Sequence, residues 1–348
     1  MSLVSELIGS TPPPHTRAVT LALRHALARH EVEAASWVVA CSGGPDSLAL
    51  TFAAADLASR AGASCKAVIV DHGLRPESAE EAQATLDLLR RWEIEAVVVA
   101  VEVGETGGVE AAAREARYRA LREHSEPGSL VLLGHTMDDQ AETVLLGLAR
   151  GSGTRSLSGM REIVRDERTW MRPLLTVRRF DTEGMCQELG LTPVEDPSNR
   201  LHGGWTTASG APLPRVAVRH LAIPALSKAL GRDTVPLLAR SASLLDLDAS
   251  ALEQITREKH EPGASLIVEE LAGLPVAVRT RILKNAAEQA GATSLQAAHI
   301  TELNKLVDGY AGGGPIHLPG NVIAWREKEE GHGKYQTTRR VVKMMKKP

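Results

Sequence analysis

Four short apolar runs, WVVAC at 37–41, KAVIV at 66–70, AVVVAV at 96–101 and SLVLL at 129–133, punctuate the first part of the chain. Each is continuous and valine-rich rather than alternating, as in strands buried on both faces of a sheet. The segments between them carry helical periodicity. Residues 79–92 place Ala82, Leu86 and Leu89 on one face, and Ser78 with Glu81 forms a capping-box pattern at the start. Residues 109–124 (VEAAAREARYRALREH) are alanine-rich with arginines on the outer side. Strand alternating with helix in this way predicts an α/β fold built on a doubly wound parallel sheet.

The pattern breaks up over 151–220, through RGSG, EDPSN and the Gly- and Pro-rich LHGGWTTASGAPLP. Helical periodicity then dominates at 236–258, 275–290 and 296–308, followed by a GGGP turn and a hairpin pattern, IHLPGNVIAWRE. This change of texture predicts two domains, one over 1–225 around the sheet and a smaller, mainly helical one over 226–348.

Composition narrows the class. A chain of 348 residues with 43% hydrophobic and 24% charged content buries a sizeable core and is neither disordered nor fibrous. No run nears the roughly 20 apolar residues of a membrane span. The start, MSLVSELIGSTPPPH, has neither the basic opening nor the apolar core of a signal peptide. Cys41, Cys65 and Cys186 are scattered, with no CxxC pair for zinc or an iron–sulfur cluster. A reducing, cytoplasmic location is the expectation.

Net charge is only −3, but it is unevenly spread. Residues 76–105 are acid-rich, residues 150–179 hold eight arginines, and the last 18 residues carry six Lys or Arg and no acid. That asymmetry allows a basic surface for a polyanion. It equally describes a solvated connector and a frayed tail. With aromatics at 3%, a base-stacking platform is not expected.

Three polar clusters each follow an apolar run: SGGPDS at 42–47, DHGLR at 71–75 and GHTMDDQAET at 134–143. In open α/β sheets ligands bind beyond the carboxyl ends of the strands. Gly43 and Gly44 permit positive φ and close approach of a ligand, and Pro45 suits the first helical position. A helix starting there aims amides and its positive dipole end at an anion, with Ser42 and Ser47 adding hydroxyls. Asp46 stands where a phosphate loop usually has a cation, which makes sense if Mg²⁺ lies between it and the phosphates. The other reading is a plain strand-to-helix turn with an acid at the helix start.

In the third cluster Thr136 can cap a helix, which puts Asp139 at its third position and Glu142 one turn on, along the same face. Two such carboxylates can share a metal ion or hold an incoming amine, or simply complement the helix dipole. His72 and His135 each sit just past a strand, where an imidazole can touch a nucleotide or make a local hydrogen bond. Arg114 and Arg117 on the alanine-rich helix, Arg150 and Arg155 in the arginine-rich segment, and Arg215 and Arg219 beyond it are candidate phosphate or RNA contacts.

Taken together, SGGPDS, DHGLR and GHTMDDQAET resemble the PP-loop ATP pyrophosphatases, with their adenine nucleotide alpha hydrolase-like fold. The stretches VDHGLRPESAEEA, AAREARYRAL, RPLL, EDPSN, RHLAIPAL, LQAAHITELNKLVDG and IHLPGNV narrow the resemblance to the tRNA(Ile)-lysidine synthetase family over most of the chain. The resemblance implies a ligase that joins free lysine to C2 of the wobble cytidine in the CAU anticodon of tRNA(Ile), through an adenylated tRNA, with release of pyrophosphate and then AMP. It implies ATP at Ser42, Gly43, Gly44, Pro45, Asp46 and Ser47, with His72 and His135 near the adenylate, and Mg²⁺ at Asp46 and Asp139. Asp46, Asp139 and Glu142 would be the catalytic acids, and relatives suggest a homodimer. After EDPSN the chain departs from the family pattern: a Gly/Pro-rich stretch intervenes, Val216 follows Arg215, and Arg219 and His220 fall in place. Rival readings are another PP-loop enzyme, such as a tRNA thiolase or amide synthetase, and a non-catalytic nucleotide- or RNA-binding protein.

Overall fold

The computed structural model describes residues 2–102, 104, 109–201, 210–309, 315–330 and 338–347. By packing, the chain divides into one unit of Met1–Gly151 with Ser156–Ser243, and a second of Ser152–Arg155 with Leu244–Pro348. The first unit opens with helices α1 (Leu3–Ile8) and α2 (Pro14–Arg29). It continues as β1 (Ser36–Ala40), α3 (Pro45–Ala61), β2 (Ser64–Asp71), α4 (Ser78–Arg91), β3 (Glu95–Ala100), α5 (Val109–Glu123), β4 (Leu130–Leu133) and α6 (Met137–Ala149). After the short α7 (Thr154–Leu157) come β5 (Ile163–Arg165), β6 (Thr169–Met171), α8 (Arg179–Glu188), α9 (Pro214–Ala217), α10 (Ile223–Leu230) and α11 (Val235–Lys259).

The sheet order is β3-β2-β1-β4-β6-β5, parallel except for the antiparallel edge strand β5. Each apolar run of the sequence is a strand of this sheet, and alternate residues go to opposite faces. Val39, Ile69 and Leu132 pack with α2, α3, α4 and α8 residues such as Leu23, Phe52, Leu89 and Met185. Val38, Val68, Val131 and Leu133 face the other way, onto Leu121 of α5 and Trp170. Burial on both faces explains why the runs show no polar alternation.

Two local expectations change. Ser78 and Glu81 form no capping box: Glu77 is the N-cap, without a side-chain cap hydrogen bond, and Glu81 is taken by Arg75 at 2.6 Å. Residues 226–243, which the change of texture assigned to the second domain, pack with the first unit. Ile223 and Val235 bury against Ala141 of α6, with Leu238 and Leu145 alongside.

In the second unit β7 (Leu266–Ile267), α12 (Val268–Ala272), α13 (Val276–Gln289) and α14 (Ala297–Lys305) precede β8 (Ile316–Leu318), β9 (Val322–Glu330) and β10 (Thr338–Lys346). The predicted hairpin is β8–β9, paired from Leu318↔Val322. It belongs to a larger antiparallel sheet, ordered β7-β10-β9-β8, so this unit is less purely helical than its periodicity suggests. Within the basic tail, Thr338–Lys346 is β10, in register with β9, with Val341 and Val342 buried, while residues 331–337 lie outside the described residues. Most of the GGGP turn and of the segment LHGGWTTASGAPLP lies outside the described residues. Among the described residues, no helix is long and apolar enough to cross a membrane.

Candidate active site

Strand order reverses at β1, which has β2 on one side and β4 on the other, so the loops leaving β1 and β4 lie together at the carboxyl edge of the sheet. Gly134, just past β4, shows how close they come. A Cβ there would stand 3.1 Å from the Asp46 carbonyl oxygen and 3.2 Å from Ser47 Cα.

In the first loop Gly43 is left-handed (φ +82°), while Gly44 is extended as the N-cap of α3 and Pro45 takes the first helical position. The loop is braced from within. Ser47 Oγ donates to Gly44 O at 3.0 Å and accepts from Ser42 N at 3.1 Å, and the two serine hydroxyls are 3.2 Å apart. Val194 N donates to Gly43 O at 2.9 Å, tying the segment before EDPSN to the loop. The first helical turn of α3 leaves amides without intrahelical partners, as an anion site requires.

Asp46 turns back toward α8. Its Oδ1 accepts from Thr182 Oγ1, and its Oδ2 from Arg179 Nε at 3.2 Å. Burial, opposed by Arg179 and reinforced by the charge of Asp139, pushes its carboxyl up to about 6. Asp139 completes a capping box with Thr136: its Oδ2 accepts from Thr136 N at 2.8 Å and from Thr136 Oγ1 at 2.9 Å. Its Oδ1 accepts from Arg179 Nη2 at 2.8 Å. Burial works against ionisation of Asp139, but Arg179 and the Thr136 amide outweigh it and hold the carboxyl below its ordinary value.

Glu142, 1% exposed, is ringed by guanidinium groups. Arg219 donates from Nε at 2.6 Å and from Nη2 at 3.2 Å, Arg179 from Nη1 at 3.3 Å, and Arg215 Nε lies 3.5 Å away. Arg219 stands in a π-helical turn (Val218–Ala222), a distortion often found at functional positions. Its Nη1 also reaches Asn199 Oδ1 at 3.3 Å, while His220 Nε2 lies 2.9 Å from Asn199 O, so the EDPSN and RHL segments meet here.

Arg179 is the residue that sequence reasoning missed. It opens α8, its backbone N donates to Asp138 Oδ2 at 2.8 Å, and its three side-chain nitrogens each go to a different carboxylate. Burial disfavours its charge, yet Asp139, Asp46 and Glu142 outweigh that and hold it above its ordinary value. Within the sequence it was one of eight arginines in 150–179, and only its place shortly after RPLL set it apart.

A second group gathers around the histidines. Nδ1 of His72 and Nδ1 of His135 are both buried without a hydrogen-bond partner. Burial chiefly, with Arg117 adding, lowers His72 to about 4; burial, against the pull of Asp139, lowers His135 to about 3. Arg114, Arg117 and Arg172 all act electrostatically on His135. Arg114 lies over the Tyr118 ring at 5.0 Å, and Arg172 Nη2 donates to Tyr118 Oη at 3.0 Å. Arg150 and Arg215 line a small cavity of about 230 Å³ with Thr143, Leu146 and Pro214. Arg155 pairs with Glu253 at 3.1 Å and Asp246 at 3.7 Å. Of the six candidate arginines, Arg215 and Arg219 reach Glu142, Arg114 and Arg117 act on His135, and Arg150 lies beside Arg215 at the small cavity.

Residues 17–203 match the family described as PP-loop domain, and residues 266–330 the family described as TilS substrate binding domain. A tRNA(Ile)-lysidine synthase of Streptomyces coelicolor is 44% identical over 83% of this chain and 82% of its own. That of Thermobifida fusca is 44% identical over 89% and 95%, and that of Mycobacterium tuberculosis 42% identical over 80% and 83%. Among solved structures, a U34-tRNA thiolase from Methanococcus maripaludis superposes with a TM-score of 0.52, covering 67% of this chain and 79% of that one. At 15% identity that likeness speaks for the fold alone. With the PP-loop geometry and these relatives together, the chain belongs to the tRNA(Ile)-lysidine synthase family, ligases that form lysidine on tRNA(Ile) using ATP.

Proposed function

We propose that Asp46, Asp139 and Glu142 carry the two chemical steps, with Mg²⁺ held by Asp46 and Asp139 and free lysine positioned at Glu142. One observation supports this above others: the three carboxylates, from two helices, converge on one cationic centre, the Arg179 guanidinium. The oxygens of Asp46 and Asp139 are hard donors of the kind Mg²⁺ takes in ones and twos beside substrate phosphates, so the residues fit the ion. When bound, Mg²⁺ would offset charge on the polyphosphate and on the departing pyrophosphate.

The protein's own groups do the rest. Ser42, Gly43, Gly44, Pro45 and Ser47 present a braced loop and a helix N-terminus to the phosphates. His72 and His135, neutral and with unpartnered ring nitrogens, are available to hydrogen-bond the nucleotide, and Arg114, Arg117 and Arg172 add positive charge beside them. The O2 of the wobble cytidine attacks the α phosphate and pyrophosphate leaves, the helix amides and guanidinium groups absorbing the developing charge. The lysine ε-amine then attacks C2, and AMP departs.

Free lysine, with a pKa of about 10.4, is protonated at neutral pH and must lose that proton to react. The guanidinium groups of Arg179, Arg215 and Arg219 disfavour a further positive charge beside Glu142. Of the acids on α6 we assign that proton to Glu142, because Asp139 is held below its ordinary value with Oδ2 committed to Thr136. The reading also takes the working enzyme as a cytoplasmic homodimer. The exposed Leu244 and Leu247 of α11 offer apolar surface for such pairing, and light scattering at assay concentration tests it.

Single-turnover reactions with ATP, Mg²⁺, labelled lysine and tRNA transcripts test the chemistry. Lysine incorporation should require the CAU anticodon, and Glu142→Gln should still release pyrophosphate yet transfer little lysine. Unimpaired transfer by Glu142→Gln would remove Glu142 from that role.

A further inference from the structure

We propose that Arg179 is a built-in cation that competes with the divalent metal for Asp46 and Asp139, so that metal enters this site efficiently only together with a polyphosphate. The inference rests on the reading above that Asp46 and Asp139 hold the metal.

The geometry is that of a plug. Nε lies 3.2 Å from Asp46 Oδ2, Nη2 2.8 Å from Asp139 Oδ1 and Nη1 3.3 Å from Glu142 Oε1. A planar fork with five N–H donors on three nitrogens reaches three separated acceptors at once, a span that a lysine ammonium, with its three N–H groups on one nitrogen, does not have. Mg²⁺ needs oxygens at about 2.0–2.1 Å in near-octahedral array. The guanidinium and the ion therefore cannot hold the same two carboxylate oxygens together. Entry of the metal means that Nε and Nη2 of Arg179 leave Asp46 and Asp139.

Two anchors make Arg179 a competitor rather than a loose surface arginine. Its backbone N is fixed to Asp138 Oδ2 at 2.8 Å, and its neighbour Arg178 pairs with Asp138 at 3.1 Å and with Asp233. Its side chain is only 17% exposed, so a displaced guanidinium needs another anion close by. Glu142 supplies one contact, but Arg219 already holds that carboxylate at 2.6 Å. Phosphate oxygens at the neighbouring β1–α3 loop would supply the rest, and arginine binds phosphate well. Metal and nucleotide then help each other by the same factor, whichever arrives first.

Mn²⁺ binding to the nucleotide-free protein, followed by the electron paramagnetic resonance of unbound Mn²⁺, tests this without turnover. Wild type should bind Mn²⁺ weakly. Arg179→Met should bind it on the order of tenfold or more tightly, the effect of losing one charge-assisted hydrogen bond. Arg179→Lys should fall between, and it carries the test if the Met variant does not fold. A gain in affinity is not what structural damage produces. Adding Asp46→Asn should abolish binding in every background. If Arg179→Met and Arg179→Lys bind Mn²⁺ no better than wild type while Asp46→Asn abolishes binding, the competition is wrong and the metal site stands. If Asp46→Asn and Asp139→Asn both leave Mn²⁺ binding unchanged, the metal reading fails and the competition with it.

Discussion

Adding one methyl group at Gly43 probes whether the loop shape is built by backbone conformation, by packing, or by both. Gly43 has φ +82°, where a residue with a Cβ loses roughly 1–2 kcal/mol against the right-handed regions. The methyl would also fall well inside van der Waals contact of Thr85 Oγ1 and 3.0 Å from Val194 Cγ2. Thr85 has little room to yield: it is 3% exposed, and its hydroxyl donates to Glu81 O at 2.9 Å. Forcing extra volume into a packed site costs about 1–3 kcal/mol. Gly43→Ala should therefore destabilise the protein by about 2–5 kcal/mol, the sum of the conformational and packing costs.

The two contributions separate in a double-mutant cycle with Thr85→Ala, read from urea midpoints. Removing the hydroxyl relieves the clash but not the backbone strain, so the pair should be more stable than additivity by about 1–3 kcal/mol. The cost that remains in the double variant is that of the left-handed conformation together with the tight contact to Val194 Cγ2 at 3.0 Å. Additivity within about 0.5 kcal/mol would refute the packing argument. A cost for Gly43→Ala under about 1 kcal/mol would refute the conformational one. ATP affinity should fall with the same substitution, because the Val194 N to Gly43 O bond that braces the loop sits on the displaced residue.

Burial holds His72 down at about 4, against about 6.5 for an unperturbed imidazole, so between those values the unfolded chain binds the extra proton and the folded one does not. The contribution of His72 is thus complete above about pH 6.5 and is lost as pH falls toward 4, and His72→Gln should flatten that part of the curve of urea midpoint against pH. Parallel curves for the two proteins would contradict it. Burial pushes the thiols of Cys65 and Cys186 up to about 12 and raises that of Cys41. Iodoacetamide at pH 8 should therefore modify them slowly in the native protein and readily in urea, as peptide mass spectrometry would show; rapid native labelling of Cys41 or Cys186 would count against the packing described.

What was legible in the sequence was whatever depends on neighbours along the chain. The strands read correctly because burial on both faces writes itself as an unbroken apolar run. Asp139 at the third position of its helix followed from Thr136, and α6 adopts that cap. Contacts between distant segments were invisible. Arg179 lies 133 residues from Asp46 and 40 from Asp139, and nothing in local pattern distinguishes it from Arg178. Competition also went unseen: Glu81 has the spacing for a capping box, but Arg75 offers a charged partner at 2.6 Å. The tail TRRVVKMMK looked like loose basic charge because only Val341 and Val342 are buried, too few to show a strand period.

The charge balance at Glu142 accounts for a phosphate loop that has an acid and no lysine. Asp46, Asp139 and Glu142 are matched by Arg179, Arg215 and Arg219, so the cluster is close to neutral before a substrate arrives. A P-loop lysine keeps a positive charge on offer to the phosphates. This cluster keeps none in reserve, and His72 and His135 add none, because burial leaves both uncharged near neutral pH. On the proposed reading, a triphosphate at the β1–α3 loop would be met by Arg114, Arg117 and Arg172, and by Arg179 once a cation arriving with the nucleotide displaces it, and a loop carboxylate is the group that can receive such a cation. On the same reading, the balance would also act on the lysine substrate. An ammonium approaching Glu142 meets three guanidinium groups, whereas a neutral amine meets no such barrier. On this reading the aspartate in the loop and the arginines around α6 form one arrangement: the first ties ATP to its metal, and the second admits lysine in the protonation state that reacts.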